Sequence, residues 1–201
     1  MHVKGKDSGG PMQEPSRSRG RVRAGVAIVV SAVVLASLPP LAGAARQGAG
    51  SARSTGWISY SDAHGVSFLH PASWTVKAGS SALFIYIDPA SGVPFRRNIN
   101  LLAQVSEGQP ITAANYLQTN LAEINQDHGT VSQRGPLSFD GTPGYRLLWA
   151  ASISGVAYEF LSQWTIRHGE AWLVTYTSDP SRFASALPMV ERLVAGLKLP
   201  G

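Results

Sequence analysis

Three two-residue turns in the second half of the chain restrict its fold more than any other feature. Asp140-Gly141, Ser154-Gly155 and His168-Gly169 each separate two runs with an apolar and polar period of two. Such pairs favour tight hairpin loops, and Asp-Gly is the strongest signal among them. Because a hairpin joins neighbouring strands that run in opposite directions, residues 130–177 are predicted to form an antiparallel sheet.

The stretch 64–76 predicts how the sheet begins. Val66 and Phe68 alternate with Ser67 and Leu69, as in a half-buried strand. Pro71 lacks the amide that a central strand needs, so the chain is expected to leave the sheet there. Residues 57–60 and 66–69, joined by the turn residues 61–65, are predicted to form a hairpin. Trp74 is predicted to start the next short strand.

The middle of the chain predicts two strands with a loop between them. Residues 82–87 are aromatic and β-branched and predict a central strand, and residues 98–104 predict a second strand. Residues 88–97 contain two prolines, a glycine and an arginine pair, which predicts an exposed and mobile loop.

Two helices are predicted. Residues 111–127 place Ala113, Leu117, Leu121 and Ile124 on one apolar stripe, with Thr112 as N-cap and Gly129 as a left-handed C-terminal residue. The second begins at Asp179-Pro180, an N-cap followed by proline in the first turn. Pro188 predicts either a kink or a new helix start at that point.

The N-terminal segment has the layout of an export signal. Four arginines between residues 16 and 23 precede an uncharged apolar run at 24–38, and Ala42-Gly43-Ala44 offers a cleavage site. We assign residues 1–45 to a signal peptide, residues 46–56 to a flexible tether and residues 57–199 to a single domain. An uncleaved signal anchor is the alternative, but Pro39-Pro40 interrupts the helix before it reaches the length of a bilayer span.

Charge and cysteine content exclude several classes of protein. The formal net charge is +5, but six of the 17 basic residues and only two of the 12 acidic residues precede residue 46. The remainder is nearly neutral, so nothing indicates binding to nucleic acid. The absence of cysteine excludes disulfides and a lipidated cysteine after the signal.

Motifs at both ends of the predicted domain resemble those of the PsbP-like family. The opening residues are Tyr60-Ser61-Asp62, the Gly65 to Phe68 segment, Pro71 and Trp74, and the closing ones are the strand 172–176 and the helix 183–197. The resemblance implies an α+β fold, an α/β/α sandwich around a mainly antiparallel sheet. That family includes an extrinsic photosystem II subunit, a Ran-binding nuclear import factor and exported bacterial proteins of the LpqN type, and enzymatic activity is not its shared trait.

No complete catalytic motif is present. The sequence has no cysteine, no G-x-S-x-G elbow, no H-E-x-x-H and no phosphate loop, so no catalytic residue or cofactor is assigned. Asp62, His64 and His70 lie near one another around the first hairpin and have the chemistry of Zn or Mn ligands. Each has a simpler role beside a turn or a proline, so no metal site is assigned.

Two sites for binding are predicted instead. Arg96 and Arg97, in the loop 88–97, are expected to contact a cell-envelope protein or an anionic lipid surface, although a solvated pair is the simpler interpretation. As exposed charges they are expected to contribute little to stability. Tyr86, Trp149 and Trp164 are candidate lining residues of a pocket for an apolar ligand, with core packing as the simpler interpretation of the tryptophans.

These observations favour an exported, non-enzymatic accessory protein of the cell envelope that is monomeric and acts by binding another protein. The alternative function is a carrier of a small apolar ligand or lipid. An exported metal-dependent hydrolase is the remaining class.

Overall fold

The computed structural model describes residues 56–79, 82–89, 93, 95–105 and 110–200. The predicted signal segment 1–45 and the tether, except for Gly56, lie outside these residues. Nine strands and two helices follow one another in the described part of the chain: β1 (Trp57–Ser61), β2 (Ser67–Pro71), β3 (Thr75–Ala78), β4 (Leu83–Tyr86), β5 (Asn98–Gln104), α1 (Ala113–Gln126), β6 (Thr130–Phe139), β7 (Thr142–Ile153), β8 (Val156–Arg167), β9 (Glu170–Ser178) and α2 (Pro180–Ala195). Neither helix is both long and apolar enough to cross a membrane.

The strands form a two-stranded hairpin and a seven-stranded antiparallel sheet. The hairpin is β1-β2, and the sheet has the order β3-β4-β5-β9-β8-β7-β6. The predicted strand at 82–87 is therefore internal, since β4 pairs with β3 and with β5. Trp74 lies just before β3 and not in it, and its N–H donates to the Pro71 carbonyl at 2.9 Å.

The three predicted turns connect β6 to β7, β7 to β8 and β8 to β9. Both central residues have positive φ in each turn, for example 49° at Asp140 and 73° at Gly141. Two left-handed residues in a two-residue loop give the twist that antiparallel neighbours require. The antiparallel arrangement predicted from these turns is confirmed.

Helices on both faces of the sheet complete an α/β/α sandwich. On one face, α2 and the β1-β2 hairpin cover a core that includes Ile85, Ile99 and Tyr176. On the other face, α1 packs over Trp164, Leu147 and neighbouring side chains. The predicted α+β architecture is confirmed.

The hairpin is joined to the end of the chain by backbone bonds. Ser67 N–H donates to the Lys198 carbonyl at 3.1 Å, and Lys198 N–H donates to the Ser67 carbonyl at 2.7 Å. Val66, Phe68 and His70 are buried against the main sheet and α2. The residues after α2 therefore hold the hairpin over one face of the sheet.

The buried face of α1 differs from the predicted stripe. Thr112 caps the helix as predicted, in a reciprocal pair of hydrogen bonds with Asn115. Ile124 is buried as predicted, and Leu117 and Leu121 are half-buried against the same core. Tyr116 and Asn120 are buried as well, whereas Ala113 is exposed. The Tyr116 ring packs on Trp164 with centroids 5.5 Å apart, which turns this side of the helix toward the sheet.

The end of α1 also differs from the prediction. His128 takes the left-handed conformation, with φ of 55°, and Gly129 does not. Gly129 is required for a different reason, because a Cβ at this position would lie 2.8 Å from Ile124 Cγ2.

Pro188 neither ends nor restarts the closing helix, because α2 continues through it. Proline removes one helix hydrogen bond at this point. Buried side chains before and after it, Phe183 and Ala186 on one side and Val190 and Leu193 on the other, hold both halves against the same face of the sheet.

Candidate functional site

A cleft of about 500 Å³ lies between the tip of the β1-β2 hairpin and the main sheet. Its floor consists of Leu83, Leu101, Ala103 and Trp172. These residues come from β4, β5 and β9, where Leu83 pairs with Leu101 and Ala103 pairs with Trp172. Because side chains two residues apart share one face of a strand, the three neighbouring strands present one continuous apolar surface.

The tip of the hairpin forms one wall of the cleft. Asp62 Oδ1 accepts hydrogen bonds from the N–H groups of His64 at 2.8 Å and Val66 at 3.0 Å. Gly65 has φ of 92°, a conformation that favours glycine and closes the turn. The bonds to Asp62 fix the shape of this wall, to which Tyr60, Ala63 and Val66 add apolar surface.

Residues at the end of β3 and just before β4 form the opposite wall. Ala78, Gly79 and Ala82 line the cleft on this side, and Gly79 N–H donates to the Ala82 carbonyl at 2.8 Å. Small side chains here leave the space open above the floor.

The polar groups of the cleft are concentrated at the hairpin tip. Tyr60, Asp62 and His64 line this part, with His64 exposed and the other two half-buried. Burial and the neighbouring Asp62 carboxylate raise the pKa of Tyr60, so its hydroxyl keeps its proton. The Tyr60 ring is held by stacking on Phe68, with centroids 4.9 Å apart. The cleft therefore has an apolar floor and a polar, acidic rim.

The structure places the three candidate metal ligands in separate roles. Asp62 and His64 lie at the hairpin tip, whereas His70 is buried and donates from Nδ1 to the Pro71 carbonyl at 2.9 Å. Within the described ranges, no group of three or more His, Cys, Asp or Glu side chains is placed to hold a metal ion.

Arg96 and Arg97 are partly buried and make internal contacts. Two nitrogens of Arg96 donate to the Asp88 carbonyl, and its guanidinium lies 4.2 Å from the centre of the Tyr86 ring. Arg97 forms an ion pair with the Asp88 carboxylate at 2.7 Å, and Arg182 of α2 approaches the same carboxylate at 2.9 Å. The expectation that both arginines are exposed is therefore wrong. Their small contribution to stability was expected from that exposure and stays a prediction without that basis.

Asp88 holds this network together. Its side chain is 8% exposed and accepts four hydrogen bonds from Arg97 and one from Arg182. Burial alone would raise the pKa of Asp88, but the Arg97 hydrogen bonds and the two guanidinium charges outweigh burial, so the pKa lies below its ordinary value. The start and end of the loop 88–97 are thus joined to each other and to α2. A role of Arg96 and Arg97 in partner binding stays a prediction.

The three aromatic residues predicted to line a pocket do not lie together. Tyr86 is on β4, and β5 and β9 separate it from Trp164 on β8. Trp149 stacks on Phe160 with centroids 3.8 Å apart, and its Nε1 donates to Ser162 Oγ at 3.0 Å. Trp149 and Trp164 are 3% and 1% exposed, so both are core residues, as the simpler interpretation predicted.

Sequence reasoning missed most of the cleft. Leu101 and Ala103 lie in the strand predicted at 98–104, and Trp172 begins the predicted strand 172–176, but no local pattern indicates an opening above them. The small residues Ala78, Gly79 and Ala82, just before the strand predicted at 82–87 and at its start, are the signal that could have suggested space there.

Comparisons with other proteins support the fold alone. No protein-family model and no curated protein matches the sequence. Among solved structures, the chain is similar to cyanobacterial PsbP from Synechocystis, with TM-score 0.54, 13% identity, and coverage of 76% of this chain and 98% of that one. It is also similar to Mycobacterium tuberculosis LpqN, a protein involved in cell envelope biogenesis, with TM-score 0.52, 15% identity, and coverage of 68% and 84%.

A third similar structure is a Pseudomonas aeruginosa protein of unknown function, with TM-score 0.51, 16% identity, and coverage of 68% and 92%. The similarity to these three solved structures agrees with the resemblance seen in the sequence. Their sequence identities to this chain are low and support a shared fold alone. The chain has the PsbP-like fold.

Proposed function

We propose that this protein is an exported, non-enzymatic accessory protein of the cell envelope that holds a small apolar molecule in the cleft beside the β1-β2 hairpin. The observation that carries the proposal is an open, largely apolar surface on an otherwise well-packed sheet. Of the two binding functions expected from the sequence, the geometry favours the small-ligand alternative.

The size and lining of the cleft fit this function. Pockets for small ligands occupy about 300 to 1,000 Å³ and combine apolar walls with a few polar groups that orient the ligand. Here the volume is about 500 Å³, the floor is apolar, and the polar groups are at one end. An elongated apolar molecule with a polar head would match both parts.

The envelope location rests on two separate supports. The N-terminal sequence has the features of an export signal, and the similar structure of LpqN belongs to a protein involved in cell envelope biogenesis. Binding of a protein partner or an anionic lipid surface through Arg96 and Arg97 is a second proposal. It is weaker, because both side chains are engaged within the protein.

A substitution that fills the cleft tests whether the ligand binds there. Ala103 is exposed on the cleft floor, so Ala103→Trp places a large ring inside the cleft without displacing a buried side chain. The matched control is Ala150→Trp, at an exposed position of β7 outside the cleft. Each full-length variant is produced in a bacterial host, extracted gently and weighed by native mass spectrometry.

We expect a co-purifying apolar molecule on the wild type and on Ala150→Trp, and a large reduction on Ala103→Trp. Equal thermal stability of the two variants would show that the loss does not come from unfolding. If the wild type is empty and exposure to lipid extracts changes neither its mass nor its tryptophan emission, the proposal fails.

A further inference from the structure

We propose that the cleft selects molecules with a cationic head, such as an amine or a quaternary ammonium group, over neutral and anionic molecules with the same apolar tail. This inference rests on the proposed function and names the class of ligand. It comes from the charge and the aromatic surface at the hairpin tip.

The first argument is the charge of the lining. Asp62 is the one carboxylate among the described lining residues, which include no lysine or arginine. Lys198, whose backbone pairs with Ser67 of the hairpin, is engaged elsewhere through its side chain, since its Nζ donates to Asp140 at 2.9 Å. A carboxylate or phosphate head at the rim would face a like charge without a compensating cation, whereas an ammonium head would face its counter-ion.

The second argument is the position of the Asp62 carboxylate. Oδ1 holds the two backbone N–H groups of the turn, while Oδ2 accepts no hydrogen bond from the described residues. One oxygen therefore fixes the carboxylate in place and the other is left for a ligand. A half-buried carboxylate that is already ordered loses little side-chain entropy when a cation binds it.

The third argument is the aromatic surface beside the carboxylate. Tyr60 lines the cleft next to Asp62, and Trp172 contributes to the floor. A carboxylate beside an aromatic ring, in a cleft with a further aromatic side chain on its floor, is a combination that suits ammonium groups, because a ring face and a carboxylate both attract positive charge. Stacking on Phe68 keeps the Tyr60 ring in position without the ligand.

The preference is tested with three molecules that each have a straight chain of eight carbons, the carboxylate carbon included: octyltrimethylammonium, 1-octanol and octanoate. Each is titrated below its micelle concentration into the full-length protein and followed by calorimetry, while the Trp172 indole N–H signal in NMR spectra locates binding in the cleft. All titrations are made in the same buffer at one pH. We expect the ammonium compound to bind about 3- to 10-fold more tightly than octanol, and octanoate to bind most weakly.

The critical variant is Asp62→Asn. Asparagine keeps the carbonyl oxygen that accepts the two turn hydrogen bonds and removes the charge, so the wall keeps its shape. We expect Asp62→Asn to lower the affinity for octyltrimethylammonium to about that for octanol. The affinity for octanol should stay unchanged, and the affinity for octanoate should rise. Asp127→Asn, at the exposed C-cap of α1, makes the same change in net charge away from the cleft and should alter none of the three affinities.

The outcomes separate this inference from the proposed function. Equal affinity of the wild type for all three molecules, or an unchanged ammonium affinity in Asp62→Asn, overturns the preference for cations and leaves the cleft as a binding site. If none of the three binds and native mass spectrometry finds the protein empty, both proposals are overturned.

Discussion

Replacement of Asp88 by asparagine tests whether the loop 88–97 is held by a buried ionic network. The substitution keeps the size of the side chain but removes the charge shared by Arg97 and Arg182, whose side chains are 16% and 30% exposed. Five hydrogen bonds to the carboxylate would be lost or weakened. Leaving charged partners buried without their counter-ion costs about 3 to 5 kcal/mol when burial is complete.

Because both arginines keep some contact with water, we expect the free energy of unfolding to fall by about 2 to 4 kcal/mol. For a domain of this size the midpoint of thermal unfolding would fall by about 6 to 12 °C. Circular dichroism during heating and urea denaturation both measure the change. Asp127→Asn is the control and should change stability by less than about 0.5 kcal/mol.

The pH dependence gives a second test of the same network. The folded-state pKa of Asp88 is lowered, so its contribution to stability is present above the unfolded-state value of about 3.9 and is lost as pH falls toward the folded-state value. The difference in the free energy of unfolding between wild type and Asp88→Asn should therefore have its full value at pH 7 and become smaller below about pH 4. A difference that stays constant down to pH 2.5, or a loss below about 0.5 kcal/mol at pH 7, would refute the reasoning.

Two further predictions concern packing. Asn100 is buried on β5, and its amide oxygen accepts no hydrogen bond from the residues that the structure describes. Asn100→Leu should therefore leave the free energy of unfolding unchanged or raise it by up to about 1 kcal/mol, which urea denaturation measures. A clear loss would mean that the amide has a hydrogen-bond partner such as a bound molecule. Gly129→Ala should lower the free energy of unfolding by about 1 to 3 kcal/mol, because the added Cβ would meet Ile124. Gly135→Ala is the control and should be tolerated, because a Cβ at this position has open space around it. Equal stability of the two variants would contradict the close approach of Gly129 to Ile124.

Local signals in the sequence were sufficient for most of the fold. The hairpins follow from turn pairs such as Ser154-Gly155, and the start of α1 follows from Thr112, because turn and capping preferences act over two to four residues. The arrangement of these elements in layers follows from the resemblance to the PsbP-like family.

The ionic network and the cleft could not be predicted in the same way. Asp88 and Arg182 are 94 residues apart, and the pairing of loop and helix depends on the completed sheet. The cleft arises where the hairpin tip stands away from the floor around Leu101, which is a property of how two layers fit together. No period or motif in the sequence encodes that distance.

The attachment of the β1-β2 hairpin has a consequence for dynamics. Each inner strand of the main sheet is hydrogen-bonded along both edges, whereas the hairpin is joined to the end of the chain by the single pair of backbone bonds between Ser67 and Lys198. The free energy of local opening depends on the hydrogen bonds and the buried area that are lost, so the hairpin should separate at a lower free energy than any inner strand of the sheet. The wall of the cleft is then a unit that opens while the floor stays folded, which gives an apolar molecule a way in without global unfolding.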